Sequence, residues 1–160
     1  MKRHLVAVLA CRVTGTRLYG KPVQNLEAGK TILDQILDTI EHLPPIDDTV
    51  LAISEGIENQ VFVRIAKERG IPYVFGDEID VLSRLIAGAR ITAATDVFRV
   101  TTECPFLYFE PLADAWRDHV GNGNDVTVTD GLPEGTAFEI YTTNSLIRSH
   151  EQGTSWHRSE

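Results

Sequence analysis

The residues best suited to chemistry crowd into one stretch, Ala10-Cys11-Arg12-Val13-Thr14-Gly15-Thr16-Arg17-Leu18-Tyr19-Gly20-Lys21-Pro22. Three cations, two glycines and two threonines follow directly on an apolar run. Such a loop can aim backbone N–H groups and cationic side chains at a polyphosphate, arginine by planar two-point contacts and lysine as a point charge. Composition alone describes a solvated basic loop equally well. Gly15-x-x-x-x-Gly20-Lys21 also matches most of a P-loop. That match fails at Pro22, which has no hydroxyl for magnesium, and at the missing helix, because residues 22–26 look extended. Gly29-Lys30-Thr31 fails too, since Gln24 stands where the first glycine belongs, and there is no GxGxxG. These failures argue against a P-loop ATPase or GTPase.

The elements that must position this loop alternate between strand and helix periodicity. Residues 4–10 read as a buried strand; the apolar run is too short, and its basic continuation unsuited, for a cleaved signal peptide. From Thr31, the residues Ile32, Leu33, Ile36, Leu37, Ile40 and Leu43 recur at helical spacing, with Thr31 as cap and Pro44-Pro45 as stop. Strand 50–54, helix 58–69 ending at Gly70, strand 72–75 and helix 78–94 follow. Then come strand 96–101, a turn at Cys104-Pro105, a helix near 107–119, strands 125–129 and 137–142, and a short helix near 144–150. Strands alternating with helices predict a three-layer α/β/α domain with a mostly parallel, Rossmann-like sheet. Ligands of such sheets bind beyond the carboxyl ends of the strands, where the loops after the first four strands lie.

The loop resembles the signature of the cytidylyltransferases that activate acidic and other bacterial surface sugars. This family includes the acylneuraminate and Kdo cytidylyltransferases and, nearest in pattern, the spore-coat polysaccharide type. Its alanine and arginine after strand one, small-residue turn and R-L-x-G-K-P-L find counterparts in Ala10, Arg12, Thr14-Gly15-Thr16, Arg17-Leu18 and Gly20-Lys21-Pro22-Val23. Cys11 is an insertion, and Tyr19 stands where proline is usual. Downstream, residues 74–84 resemble G-x-x-x-D-V-L-x-R, residues 98–107 resemble R-x-T-G-D-C-P-L, residues 133–141 resemble D-G-x-D-V-E-V-F, and residues 156–160 resemble R-x-S-E/H. The matches keep their order over nearly the whole chain.

The resemblance implies a nucleotide-diphospho-sugar transferase fold and attack of a sugar hydroxyl on the α-phosphate of CTP, with pyrophosphate leaving. It assigns the triphosphate to Arg12, Arg17 and Lys21, with Ala10, Thr14, Gly15 and Thr16 around it. It puts Mg2+ on the carboxylate of the D-C-P turn, here Glu103, and makes Arg12, Lys21 and Glu103 the catalytic set. The second metal-side aspartate aligns with Ala137, which leaves Glu139 and Glu134 as nearby candidates. Ser54-Glu55 falls where the family contacts the pyrimidine, or is an ordinary strand-end turn. Asp80 and Arg84 are either further nucleotide contacts or a helix cap and an (i, i+4) pair. Glu139, His157 and Arg158 fall on the sugar side. A non-catalytic nucleotide or nucleotide-sugar binding domain is the alternative, favoured by Glu103 and Ala137.

The wider composition agrees. At 160 residues the chain suits a single nucleotidyltransferase domain over 1–160, expected to be the front part of a longer protein or a truncated one. A net charge of −8 argues against a nucleic-acid surface. No apolar run approaches the ~20 residues that span a bilayer. Cys11 and Cys104, far apart and without metal-type spacing, read as reduced thiols of a cytoplasmic protein. His4, His42, His119 and His150 are scattered and form no metal set, and Trp116 reads as core. A homodimer would fit the resemblance.

Overall fold

The structure, a computed structural model, describes residues 2–15, 18–133 and 135–154. Its main sheet joins β1 (Leu5–Cys11), β4 (Asp48–Ser54), β5 (Tyr73–Gly76), β6 (Asp96–Arg99), β7 (Val126–Val128) and β8 (Glu139–Thr142) in the order β5-β4-β1-β6-β8-β7. β5, β4, β1 and β6 run parallel; β8 is antiparallel to both β6 and β7. A small antiparallel hairpin, β2 (Asn25–Glu27) and β3 (Lys30–Thr31), lies apart from it. The helices are α1 (Ile32–Ile40), α2 (Gln60–Arg69), α3 (Val81–Ile91), α4 (Leu112–Asn122) and α5 (Thr143–Gln152).

Alternation along β1 builds both halves of the core. Leu5, Ala7, Leu9 and Cys11 pack with α1, α2 and Leu112 of α4 on one face, while Val6 and Val8 pack with α3 and Leu146 of α5 on the other. Every residue of β1 from Leu5 to Leu9 is wholly buried, as expected of a parallel strand covered on both sides. Each such Leu or Val contributes about 1.5–3 kcal/mol by leaving water. α1 starts with a capping box: the Thr31 hydroxyl accepts the Asp34 N–H at 3.1 Å, and the Asp34 carboxylate accepts the Thr31 N–H at 3.0 Å. The three-layer, mostly parallel fold expected from the sequence is therefore present.

The chain leaves β1 for β4 and β5 on one side, then crosses back to β6 on the other. The sheet thus reverses its winding between β1 and β6, and a crevice opens beyond the carboxyl ends at such a point. The site residues stand around this crevice.

Three local readings need correction. The helix expected near 107–119 begins only at Leu112, after Pro111. Before it the chain is neither helix nor strand, with Leu107 and Phe109 against the core, Phe106 and Tyr108 exposed, and the Tyr108 N–H bonded to the Thr136 carbonyl at 2.9 Å. The strand expected to reach residue 101 ends at Arg99, because its partner β8 starts at Glu139 opposite it. Residues 21–23 make a single 3-10 turn rather than an extended run. Among the described residues no helix is long and apolar enough to cross a membrane.

Candidate functional site

The segment after β1 is anchored at three points. The Val13 N–H donates to the buried Asn59 Oδ1 at 2.8 Å, and Asn59 Nδ2 donates to the Glu55 carbonyl at 3.1 Å. The Gly20 N–H returns to the Val13 carbonyl at 2.8 Å, with Gly20 at φ +65°, a conformation glycine adopts without penalty. The Thr14 hydroxyl donates to the Glu78 carboxylate beyond β5.

A cleft of about 490 Å³ opens at the ends of β1 and β6. Ala10 and Arg12 line it from the end of β1, Lys21 from the 3-10 turn and Arg84 from α3. Arg99, Thr101, Thr102, Glu103 and Cys104 line it from the end of β6 and beyond, and Gly135 from the approach to β8. A smaller hollow of about 240 Å³ is lined by Arg12, Thr14, Gly15 and Glu78, so Arg12 borders both. The larger cleft carries four cations, Arg12, Lys21, Arg84 and Arg99, against one carboxylate, Glu103. In a chain of net charge −8 this is a strong local reversal of sign, suited to a multiply charged anion.

These side chains are held by specific contacts. Arg84 is 1% exposed and donates through Nη1 to the Cys11 carbonyl at 3.2 Å and the Ala52 carbonyl at 3.3 Å, and through Nη2 to the Glu78 carbonyl at 3.4 Å. It thereby clamps the ends of β1 and β4 together. Gly76 makes room for it, since a Cβ there would come within 2.7 Å of Arg84 Cγ. The Thr102 hydroxyl donates to the Ala10 carbonyl at 3.2 Å, tying the segment after β6 to β1. Lys21 Nζ faces Glu103 Oε2 at 3.5 Å. Arg99 Nη1 meets Glu139 Oε2 at 2.5 Å, and the same oxygen accepts the Tyr141 hydroxyl at 2.9 Å. Burial, with the Glu139 charge added, pushes the Tyr141 phenol up to about 12. Burial also pushes the Cys11 thiol up to about 12, against the pull of Arg84, so Cys11 is an inert core thiol. Cys104 is a second free cysteine, half-buried at the cleft wall.

No family model matches the chain. Among curated proteins it is 20% identical over 156 residues to an uncharacterized protein of Methanocaldococcus jannaschii, covering 98% of this chain and 64% of that protein. It is 24% identical over 147 residues to the spore coat polysaccharide biosynthesis protein SpsF of Bacillus subtilis, covering 89% of this chain and 61% of that protein. The chain therefore spans less than two thirds of the length of either relative. Among solved structures, a cytidylyltransferase from Leptospira borgpetersenii serovar Hardjo-bovis superposes with a TM-score of 0.85 at 20% identity, over 100% of this chain and 68% of that one. The chain shares the fold of that protein. CMP:2-keto-3-deoxy-manno-octonic acid synthetase, solved with CTP, superposes with a TM-score of 0.71 at 12% identity, over 96% of this chain and 80% of that one. Rv0371c of Mycobacterium tuberculosis, solved with manganese, gives 0.60 at 19% identity, over 92% of this chain and 76% of that one.

Five residues expected at the site from the sequence meet in the larger cleft: Ala10, Arg12, Lys21, Arg84 and Glu103. Thr14 and Gly15 join Arg12 in the smaller hollow. Ser54 is wholly buried at the end of β4, its hydroxyl donating to the Glu55 carbonyl at 3.4 Å. Asp80 caps α3 through the Ser83 N–H at 2.8 Å and meets His150 Nε2 at 2.8 Å, the cap that was one of its two readings. Glu139 turns to Arg99. Thr16, Arg17, Glu134, Trp156, His157, Arg158, Ser159 and Glu160 lie outside the described residues.

Sequence reasoning did not assign Arg99, Thr101, Thr102, Cys104 or Gly135 to the site. The signal was a cation closing a strand, followed by two hydroxyl residues and a Glu-Cys-Pro turn. Among the described residues, no three His, Cys, Asp or Glu side chains converge to hold a metal ion.

Proposed function

We propose that this chain is the nucleotide-handling core of a cytidylyltransferase that activates a sugar, an acidic one for surface polysaccharide. The observation that carries the reading is the cation-lined cleft at the switch point between β1 and β6, with Arg12, Lys21 and Glu103 around it. Its support is the fold shared with a synthetase solved with CTP and the sequence relationship to a spore coat polysaccharide biosynthesis protein.

Arg12 and Lys21 hold the triphosphate, and Arg84 and Arg99 add positive field from the floor and the β6 wall. Transfer begins when the sugar hydroxyl oxygen attacks the α-phosphate; the bond to the β-phosphate breaks, pyrophosphate departs with that electron pair, and the hydroxyl proton is released to solvent water. Catalysis of such a step is chiefly positioning and charge neutralisation by groups fixed beforehand. In this reading the Lys21 ammonium offsets the charge that builds on the leaving pyrophosphate. The anchors at Asn59 and Thr102 keep the two walls in place without reorganisation.

The residues fit one divalent cation. Glu103 presents its carboxylate to the cleft, and a magnesium ion is commonly held by one or two carboxylates together with substrate phosphates. Glu103 would hold it, and the charge of the ion would help neutralise the phosphates during transfer. Glu139 is committed to Arg99, and Ala137 offers no ligand.

That single carboxylate also favours a second reading, a nucleotide-binding domain without transfer activity. Calorimetric titration with CTP, ATP, GTP and UTP, with and without magnesium, tests both. Selective CTP binding followed by pyrophosphate release with an acidic sugar supports the enzyme; selective binding without release supports the second reading. Absence of binding by all four nucleotides would sink both.

A further inference from the structure

Lys21 and Glu103 come from opposite walls of the cleft, one beyond β1 and the other beyond β6, and their charged ends meet at 3.5 Å. The functional reading gives the Lys21 ammonium to the triphosphate and the Glu103 carboxylate to a divalent cation. In this structure the two hold each other instead. A phosphate reaching Lys21 finds an anion already there, and a cation reaching Glu103 finds an ammonium beside it. Arg99 and Glu139 repeat the arrangement on the β6 wall at 2.5 Å. The cleft therefore cancels part of its own field.

We propose that the Lys21–Glu103 pair is an exchange latch that orders ligand entry, nucleotide before divalent cation. The triphosphate displaces Glu103 from Lys21, and the released carboxylate then takes a divalent cation shared with the phosphates. No covalent bond changes; one ion pair is exchanged for two. The latch yields readily, because both side chains are more than a third exposed and such pairs favour the closed form only about two- to fivefold. A triphosphate carries more charge than the single carboxylate it replaces, so the exchange runs toward the bound state. This inference rests on the nucleotide-binding reading above.

The test is titration of CTP into the wild-type chain, Glu103→Gln, Lys21→Gln and the double variant, each in excess EDTA and in excess magnesium. Glu103→Gln is expected to bind metal-free CTP about two- to fivefold more tightly than wild type, and to lose the gain that magnesium gives the wild type. In the Lys21→Gln background the same substitution should bring no such tightening. Electron paramagnetic resonance of Mn2+ gives an independent readout. Wild type without nucleotide should retain no more Mn2+ than Glu103→Gln does, and should retain more once CTP is present.

Wild type that binds CTP, while Glu103→Gln shows unchanged or weaker metal-free affinity, would overturn the latch and leave the nucleotide site standing. Equal tightening with and without Lys21 would also overturn it, by showing a diffuse field effect in place of a pair. Mn2+ held by wild type alone and released in Glu103→Gln would overturn the order. Wild type that binds no CTP in either condition would overturn the functional reading and the latch together.

Discussion

Asn59 Oδ1 accepts the Val13 N–H at 2.8 Å, so a side chain at the start of α2 holds the backbone that leads from β1 into the cationic loop. Asn59 is 1% exposed and spends its amide on the Glu55 carbonyl, which joins the loops after β1 and β4. Replacing it by alanine strands a buried N–H and a carbonyl, and unmet buried groups cost about 1–3 kcal/mol. Asn59→Ala should lower the unfolding free energy by that amount, read as a lower urea midpoint, and weaken CTP binding without removing any group from the cleft. Unchanged CTP affinity in a measurably destabilised variant would mean that the loop holds its geometry by other means.

Lys21 tests the phosphate assignment directly. It is half-exposed, so Lys21→Ala should leave the denaturation midpoint almost unchanged. Its loss from a triphosphate should weaken CTP binding about tenfold or more, since hydrogen bonds to charged groups contribute about 1.5–3 kcal/mol. Titration in low salt checks this, and undiminished affinity would move the phosphates away from this wall of the cleft.

Much of this arrangement was readable in the residue order, and the reasons differ by element. β1 stood out because a parallel strand buried on both faces must be an unbroken apolar run, and the cationic loop because its composition changes abruptly after it. The 107–111 segment was misread as helix, since Phe106 to Phe109 is apolar throughout and its period-two exposure shows only once the segment is seen against the core. The β2–β3 hairpin has too few residues to carry a period. Arg99 escaped notice for another reason: its pairing with Glu139 depends on β6–β8 register across forty positions, which local pattern does not encode. Arg84 read either as a nucleotide contact or as half of an (i, i+4) pair, and local pattern could not show that the turn of α3 sends it inward over Gly76.

Arg84 therefore carries a structural prediction. Its guanidinium satisfies the carbonyls of Cys11, Ala52 and Glu78 from a buried position. Arg84→Met keeps much of the volume and removes every donor, which should cost about 2–4 kcal/mol through unmet carbonyls at two strand ends. Urea unfolding measures the loss. A change within about 0.5 kcal/mol would class Arg84 with ordinary surface residues and remove it from the clamp.

The polar network at the opposite end of the sheet predicts a pH dependence. His119 and Asp96 are both wholly buried, with His119 Nε2 at 3.1 Å from Asp96 Oδ1 and Nδ1 at 2.8 Å from the Thr127 hydroxyl. Burial lowers the His119 pKa from its ordinary 6.5, and the hydrogen bond and charge of Asp96 oppose it without prevailing. The folded state thus binds the proton less readily than the unfolded chain, which takes it up near 6.5. Where the unfolded state holds more protons, stability rises with pH. His119 should therefore contribute nothing to pH dependence above about 7.5, and should destabilise the fold as pH falls from about 6.5 toward the lowered folded value. Denaturant midpoints between pH 5 and 8 measure the slope, and His119→Gln, which keeps polar contact with Thr127 but does not titrate, should flatten it. A slope of the same size in that variant would assign the effect to carboxylates elsewhere. A slope of opposite sign in the wild type would mean that the pull of Asp96 exceeds the penalty of burial.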